Sequence, residues 1–292
     1  METSLTKKQK REIPGLKIIT TTIMGLLISI IVLMFLVDIL FVDGSSLIEV
    51  LSSPEIQHAF FLSLFTSILS TLIGIIIAVP TAYSLSRFSS RITIIFDIII
   101  DLLIVIPVLV IGVSLLVTFK FGRDLKDSSF FIFQFMGWII SGWGDFFIYK
   151  PAGIILAQVM CSISFAVRAI KAAFDSIDPR TEHVALTLGC NRGMAFWKIS
   201  LPLAKQGIFA GGVLAWARAY GIFGAVSIVA GAVRKKTEVL PTSVFLEISI
   251  GRLEIALGIS LLMVAVAFVF LLLLRVFFGA DLFSFHSNDS DR

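Results

Sequence analysis

The chain has 292 residues, of which 57% are hydrophobic and 15% are charged, and its mean hydropathy is +1.00. Few soluble domains have this composition, and several apolar runs exceed the ~18 residues that a membrane span needs, so the sequence predicts an all-α, polytopic membrane protein. The net charge of +4 is small and the basic residues separate by membrane side, so no nucleic-acid partner is expected.

Six apolar runs follow one another along the chain and predict six spans. They cover 18–42, 58–85, 93–119, 151–174, 206–233 and about 255–278. A basic tail, 1–17, precedes them, and an aromatic stretch within 120–150 is too rich in Gly and Trp for a span and is expected at the membrane interface. We therefore expect one transmembrane domain over 1–292, with its core at about 58–275.

Lys and Arg divide unequally between the two sides of these spans. Fifteen fall on the side of the N-terminus, eight fall on the other side, and Arg218 lies within a span. The positive-inside rule then places both termini and the polar loop 176–205 in the cytoplasm of a multi-pass protein of the cell membrane. The basic group 234–236 runs against the rule, and basic residues outside predict contact with an acidic partner or an anion.

The cysteines and histidines form no recognisable site. Cys161 and Cys190 fall in a predicted span and a predicted cytoplasmic loop, so both are expected to be free thiols. His58, His183 and His286 are far apart, without metal-ligand spacing. No Gly is followed by Lys, as a Walker A motif requires, and HExxH and GxSxG are absent. We therefore expect no metal, no cofactor and no enzymatic activity on this chain.

The polar loop 176–205 has the pattern of a short helical hairpin. Asp178 and Pro179 suit a helix start, and Gly189 suits a helix end with positive φ. Pro202 is expected to stop the second helix. The apolar sets are Val184, Ala185 and Leu188 in the first helix, opposite Glu182, and Ala195, Phe196, Ile199 and Leu201 in the second. Such a hairpin is too short to span the membrane, so it either lies on the headgroups or docks a soluble partner.

The spacing of this hairpin resembles the EAA loop of ABC importer permeases. The matching positions are Ala185, Gly189, Ile199, Leu201 and Pro202. In that family the loop fits a groove on the ATPase subunit, so the resemblance implies a coupling role. The family's Glu lies six residues before the Gly, where this chain has His183, with Glu182 one residue earlier. The coupling candidates are Glu182, His183, Ala185, Gly189, Phe196, Ile199, Leu201 and Pro202.

Four charged residues are predicted inside spans, where they need protein or water around them. Asp97 and Asp101 lie at i and i+4 on one face of the third span. Arg168 lies on the fourth span and Arg218 near the middle of the fifth. Either such residues pair between helices, for example Arg218 with Asp101, or Arg218 gives positive potential to an anion path. The path candidates, with two small residues of the fifth span, are Arg218, Asp101, Gly221 and Gly224.

Segments 216–231 and 236–241 resemble the molybdate, tungstate and sulfate branch of these permeases. The matching residues are Ala217, Arg218, Gly221, Phe223, Gly224, Ala230, Gly231, Lys236, Thr237, Glu238, Leu240 and Pro241. Ile222 stands where the branch has Glu. The third span also resembles the branch, but Leu103 and Val108 replace two of its prolines, which predicts a straighter helix.

The resemblance implies a type I ABC importer permease that forms a homodimer, with the path along the two-fold axis. The implied partners are two ATPase subunits on the hairpins, a substrate-binding protein outside the membrane, and membrane lipid. The expected function is ATP-driven import of molybdate or tungstate, or of sulfate, with ATP hydrolysis on the partner chain. A permease for another solute such as an amino acid is an alternative, as are a secondary ion-coupled transporter and a membrane scaffold.

Overall fold

A computed structural model describes residues 14–88, 90–126 and 131–283, and all of its regular secondary structure is helical. The first half contains α1 Pro14–Phe41, α2 Gly44–Ser52, α3 Pro54–Arg87, α4 Arg91–Val105, α5 Val108–Lys126, α6 Phe131–Phe147 and α7 Pro151–Asp175. The second half contains α8 Arg180–Thr187, α9 Arg192–Ala195, a π-helical turn Phe196–Ser200, α10 Leu201–Leu203, α11 Lys205–Tyr220, α12 Gly224–Val229, α13 Leu240–Ser249 and α14 Leu253–Phe283. Most of the predicted tail 1–17, and His286, lie outside the described residues.

Four of these helices are long and apolar enough to cross a membrane unbroken. They are Lys17–Phe41 in α1, Pro54–Arg87, Pro151–Asp175 and Leu253–Leu274 in α14. The pair formed by α4 and α5 makes a fifth candidate if it is one broken span. Six uninterrupted spans were predicted, and two of those six, the third and the fifth, are interrupted in the structure.

The third predicted span bends by 114° between α4 and α5. Ile106 is extended, with φ −63° and ψ 127°, and Pro107 follows it. Because a proline has no N–H and disfavours the helical region for the residue before it, Pro107 accounts for the extended Ile106 at the break. The predicted straightening from Leu103 and Val108 is therefore wrong.

The fifth predicted span is also interrupted. Helix α11 ends at Tyr220, three residues follow without helix, and α12 is only 6 residues long. Helix α12 packs on α5 at very short range, since a Cβ added to Gly112 would lie 2.8 Å from Ala225 Cα. The chain then turns through Gly231, whose φ is +73°, toward α13.

The aromatic stretch before α7 forms α6, which packs against α5. The rings of Phe119 and Phe147 stack with centroids 5.9 Å apart, and a Cβ on Gly144 would lie 3.1 Å from Phe119 Cβ. A span was not predicted here because the stretch is rich in Gly and Trp, and this helix has 17 residues. Gly144 is one of those glycines, and it allows the helices to approach closely.

Helices α3, α7 and α11 form the tightly packed centre. Ser70 Oγ on α3 donates to Gln158 Oε1 on α7 at 2.7 Å, and both side chains are buried. A Cβ on Gly211 of α11 would lie 2.8 Å from Ile170 Cγ1 and 3.1 Å from Ala166 O. Small residues and interhelical hydrogen bonds are what hold helices together in lipid, where the hydrophobic effect between helices is absent. This centre carries the hairpin at one end.

Candidate functional site

The hairpin begins just after α7 and turns at Gly189, as predicted. Asp178 Oδ1 accepts a hydrogen bond from the Arg180 N–H at 2.9 Å, which caps the start of α8. Gly189 has φ +89°, and the Cys190 N–H closes the turn on Ala185 O at 3.0 Å. Asn191 Oδ1 then accepts from the Met194 N–H at 2.7 Å and starts α9.

The second half of the hairpin does not stop at Pro202. The chain passes from α9 through the π-helical turn 196–200 into α10, and α11 begins at Lys205. The wider π turn accommodates the ring of Pro202, which sits in the first turn of α10, where no N–H is needed. The prediction that Pro202 ends the helix is therefore wrong, and the hairpin is joined to α11 by almost continuous helix.

Glu182 faces inward and binds three donors. Its Oε1 accepts from Arg87 Nε at 2.8 Å and from Ser200 Oγ at 2.7 Å, and its Oε2 accepts from the Tyr83 hydroxyl at 3.0 Å. Burial by itself would raise the pKa of Glu182, but hydrogen bonds from Ser200, Arg87 and Tyr83 together outweigh it and hold the pKa below its ordinary value. The carboxylate therefore stays charged.

Part of the hairpin surface is exposed, and some of that surface is apolar. His183, at the position of the family's Glu, is exposed, as are Leu188 and Trp197, while Ala185 is buried. The remaining coupling candidates are Phe196, Ile199 and Leu201, which are half-buried, and Gly189 and Pro202, which are exposed. The candidates thus divide into an inward group around Glu182 and an outward face around His183.

The charged residues of the spans do not form the predicted pair between Arg218 and Asp101. Arg168 on α7 pairs with both carboxylates of α4, with Asp97 at 2.8 Å and with Asp101 as well. Its Nη2 also donates to the backbone oxygen of Asp97 at 3.0 Å. The Arg218–Asp101 pair is therefore wrong, and Arg168 fixes α4 on α7.

Arg218 lies on an exposed face of α11. Its guanidinium carbon is 5.4 Å from the centre of the Phe165 ring on α7, a cation–π distance. Gly221 is exposed, whereas Gly224 is buried against Leu109, 3.0 Å from a Cβ built there. Of the four path candidates, the structure puts Arg218 and Gly221 on exposed surface of α11 and its C-cap, ties Asp101 to Arg168, and buries Gly224 between helices.

Ile222, where the related branch has Glu, does not face the surface that carries Arg218. It is 3% exposed and belongs to the apolar cluster that joins α5, α7 and α12. An aliphatic side chain here adds to the packing of the cluster.

Sequence reasoning missed the partners of Glu182 and an ion network at the other end of the molecule. Arg234 pairs with Glu55 and, at 2.7 Å, with Glu247, and Arg252 pairs with Glu49 and, at 3.5 Å, with Glu247. The side chain of Glu247 is only 4% exposed. A contact between the basic group 234–236 and an acidic partner was predicted. For Arg234, the acidic partners are Glu55 and Glu247 of the same chain. The acidic segment 43–57, which contains Glu49 and Glu55, was the feature of the sequence that could have indicated this network.

Comparison with known proteins gives a family and a fold. The family model of the binding-protein-dependent transport system inner membrane component matches residues 70–281. The molybdenum transport system permease protein ModB of Mycobacterium tuberculosis is 32% identical over 163 residues, which is 56% of this chain and 57% of that protein. The sulfate transport system permease protein CysW of Synechocystis is 32% identical over 143 residues, 48% of this chain and 52% of that protein.

A solved structure resembles the whole fold. The crystal structure of a bacterial ABC transporter involved in the import of the acidic polysaccharide alginate superposes with a TM-score of 0.69 and covers 94% of this chain and 97% of that chain. The sequence identity is 20%, so this likeness shows the fold alone. The matches to the two curated relatives span little more than half of their length.

Proposed function

Since the chain belongs to the family of binding-protein-dependent transport system inner membrane components, we propose that it is the permease subunit of an ATP-driven importer of a tetrahedral oxyanion. Membership of the family makes it a transport component of the inner membrane, and the predicted family and all-α fold class are confirmed. The oxyanions proposed are molybdate and tungstate, with sulfate as the third.

The observation that carries the proposal is the exposed Arg218 near the C-terminal end of α11. Arg168, the other arginine of this part of the bundle, is neutralised by two carboxylates, whereas the guanidinium of Arg218 packs on the Phe165 ring. A guanidinium offers several N–H donors in one plane, which suits the oxygens of a passing dianion. The adjacent Gly221 leaves room for the anion to approach.

The anion path of the proposal lies between two copies of this chain. In a homodimer, the exposed faces of α11 from the two copies would meet across a central path, so that both Arg218 side chains contribute positive potential. A binding protein outside the membrane delivers the anion to this path. Selection among anions of equal charge and shape then belongs mainly to that binding protein.

Coupling in this proposal uses the outward face of the hairpin. Two ATPase subunits dock there, on the exposed surface around His183 and Leu188, and both termini lie on the same cytoplasmic side. ATP-driven closure of the ATPases draws the two hairpins together and turns the path from inward-facing to outward-facing. ATP hydrolysis takes place on the partner chains.

The test is uptake of labelled molybdate, tungstate and sulfate by cells with and without this chain, repeated with the partner ATPase inactivated. The expected result is that uptake of at least one oxyanion requires both chains. If no oxyanion uptake depends on this chain, the substrate assignment is wrong, and uptake of an amino acid that requires both chains would reassign it. Uptake that survives loss of the ATPase but collapses with an uncoupler would indicate a secondary transporter.

A further inference from the structure

Glu182 connects the first half of the hairpin both to the membrane-spanning helix α3 and to the second half of the hairpin. Two of its donors, Tyr83 and Arg87, lie in the last turns of α3, and the third, Ser200, lies in the π-helical turn of the hairpin's other half. Only 14% of the Glu182 side chain is exposed. One carboxylate therefore holds both halves of the hairpin against the end of α3.

Arg87 extends this connection to a second membrane-spanning helix. Its Nη2 donates to Ile177 O at 3.1 Å, two residues beyond the end of α7, and its side chain is 9% exposed. Aromatic rings reinforce the same contact, since the Tyr83 ring lies 5.4 Å from that of Phe174 and 4.7 Å from that of Phe196. Helices α3 and α7 and both halves of the hairpin meet at this point.

We propose that Glu182 is a positioning residue that locks the hairpin to α3, so that a displacement of the hairpin by the ATPase moves α3 with it. This inference rests on the proposed function and deepens it. Glu182 then acts through Arg87 and Tyr83 and does not contact the ATPase, while the exposed His183 next to it lies on the docking face.

The chemistry of the contact explains why apolar packing alone does not suffice. Apolar side chains can slide past one another at little cost, whereas hydrogen bonds to a charged acceptor are short and directional. With bonds on both carboxylate oxygens, the side chain is fixed in rotation as well as in position. Loss of its charge leaves the nearly buried guanidinium of Arg87 without its counter-charge, which weakens the contact itself.

The first experiment compares Glu182→Gln with His183→Gln in the complete complex, reconstituted with its ATPase subunits in proteoliposomes. The quantities measured are the number of ATP molecules hydrolysed per anion imported and the affinity of the ATPase for the permease. For Glu182→Gln we expect the ratio to rise at least about fivefold while the affinity stays within about twofold of the wild type. For His183→Gln, on the docking face, we expect instead that the affinity of the ATPase for the permease falls by more than it does in Glu182→Gln.

A second measurement does not depend on the substrate. Spin labels at Leu188 in the hairpin and Ile77 in α3, both exposed, report the distance between them in a chain whose Cys161 and Cys190 are replaced. The wild type should give one narrow distance distribution, and Glu182→Gln a broad one. Arg87→Gln should broaden it similarly, and the double variant should be no broader than either single variant.

Three results would overturn the inference. They are a narrow distribution in Glu182→Gln, a broad distribution with an unchanged ATP-to-anion ratio, and a loss of ATPase affinity that accounts for the whole defect. Glu182→Asp, which keeps the charge, should recover part of the coupling. If the wild-type complex imports no oxyanion, the proposed function is wrong. The role of Glu182 is then still decided by the spin-label distance distributions and by the affinity of the ATPase for the permease, since neither measurement depends on the substrate.

Discussion

Two arginines on neighbouring helices differ in how their charge is compensated. Arg168 meets two carboxylates of α4, so its charge stabilises the contact between α4 and α7. For Arg218, the residues that the structure describes place no carboxylate within salt-bridge distance, and its contact is the face of the Phe165 ring. A charge with so little compensation in an apolar region is costly, which favours a functional role over a structural one.

Replacing Arg218 tests that role directly. Arg218→Gln should lower the initial rate of oxyanion uptake by about 10-fold or more, since a hydrogen bond to a charged group contributes ~1.5–3 kcal/mol. Arg218→Lys should retain part of the rate, because it keeps the charge but loses the planar donor set. Initial rates of labelled anion uptake, normalised to the amount of protein in the membrane, provide the measurement.

Lys171→Gln is the matched control for Arg218→Gln. It removes one positive charge from α7, where Lys171 pairs with Asp175 at 3.2 Å, away from the Phe165 ring. Its uptake rate should stay within about twofold of the wild type, because an exposed i,i+4 pair contributes ~0.3–0.5 kcal/mol. Equal losses in the two variants would show that overall charge, and not Arg218, controls uptake.

At the scale of the helices, the sequence was informative about the hairpin and less so about the interrupted spans. Gly189 and Asn191 act through local backbone geometry, so their roles follow from residue type and position. The break after Tyr220 depends on how α12 packs against α5 at Gly112, a contact between segments far apart in sequence. A hydropathy average records only that 206–233 is apolar, so it merged α11 and α12 into one span.

The same distinction applies to Glu182. The sequence showed that Glu182 lies near the start of a short helix. It also showed that the next position, where the family has Glu, is occupied by His183. Two of its donors, Tyr83 and Arg87, lie about a hundred residues upstream in the sequence. The third, Ser200, lies on the other side of the hairpin turn. Only the packing of α8 on the end of α3 brings them together.

The turn of the hairpin can be broken without touching the spans. Gly189→Pro should abolish substrate-stimulated ATPase activity, because proline fixes φ near about −65° while Gly189 has φ +89°. The variant also loses the N–H that bonds to Leu186 O at 3.1 Å. ATPase activity of the assembled complex, measured with and without substrate, provides the readout.

Gly193→Ala is the control for that variant, since a Cβ there meets only Asn191 Oδ1, at an ordinary 3.5 Å. Both variants should unfold thermally within a few degrees of the wild type, because Gly189 lies outside the packed centre. Deletion of 185–192 should behave like Gly189→Pro. Retained substrate-stimulated ATPase activity in Gly189→Pro would contradict the role of the hairpin.

The contact between α5 and α12 provides a test of the interrupted fifth span. In Gly112→Ala the new Cβ would lie 2.8 Å from Ala225 Cα and 3.2 Å from Ala225 O, and backbone atoms cannot move aside cheaply. The variant should lose about 1–3 kcal/mol of stability, seen as a lower midpoint of thermal unfolding in detergent. Gly74→Ala in α3, where a Cβ meets nothing within 4 Å, should be neutral or slightly stabilising. Equal unfolding midpoints for the two variants would contradict the close contact of α12 with α5 at Gly112.

At the scale of the whole molecule, the two ends of the bundle are held by different ion networks. The end with the hairpin is fixed by Glu182 and Arg87. The opposite end is fixed by Arg234 and Arg252, which share the nearly buried Glu247 and reach Glu55 and Glu49. These pairs explain how basic residues are accommodated on the side where the positive-inside rule predicts few of them.

The proposed function needs the hairpin end on the cytoplasmic side, and this orientation can be measured by labelling single cysteines with a membrane-impermeant maleimide. In a chain without Cys161 and Cys190, Ser249→Cys, exposed at the end of α13, should be labelled in intact cells. Ser176→Cys, exposed just after α7, should be labelled only after the membrane is permeabilised. Because α7 connects the side of the outer network to the side of the hairpin, the two positions must give opposite results. Labelling of Ser176→Cys in intact cells would put the hairpin outside, where no ATPase could reach it, and the coupling model would then be wrong.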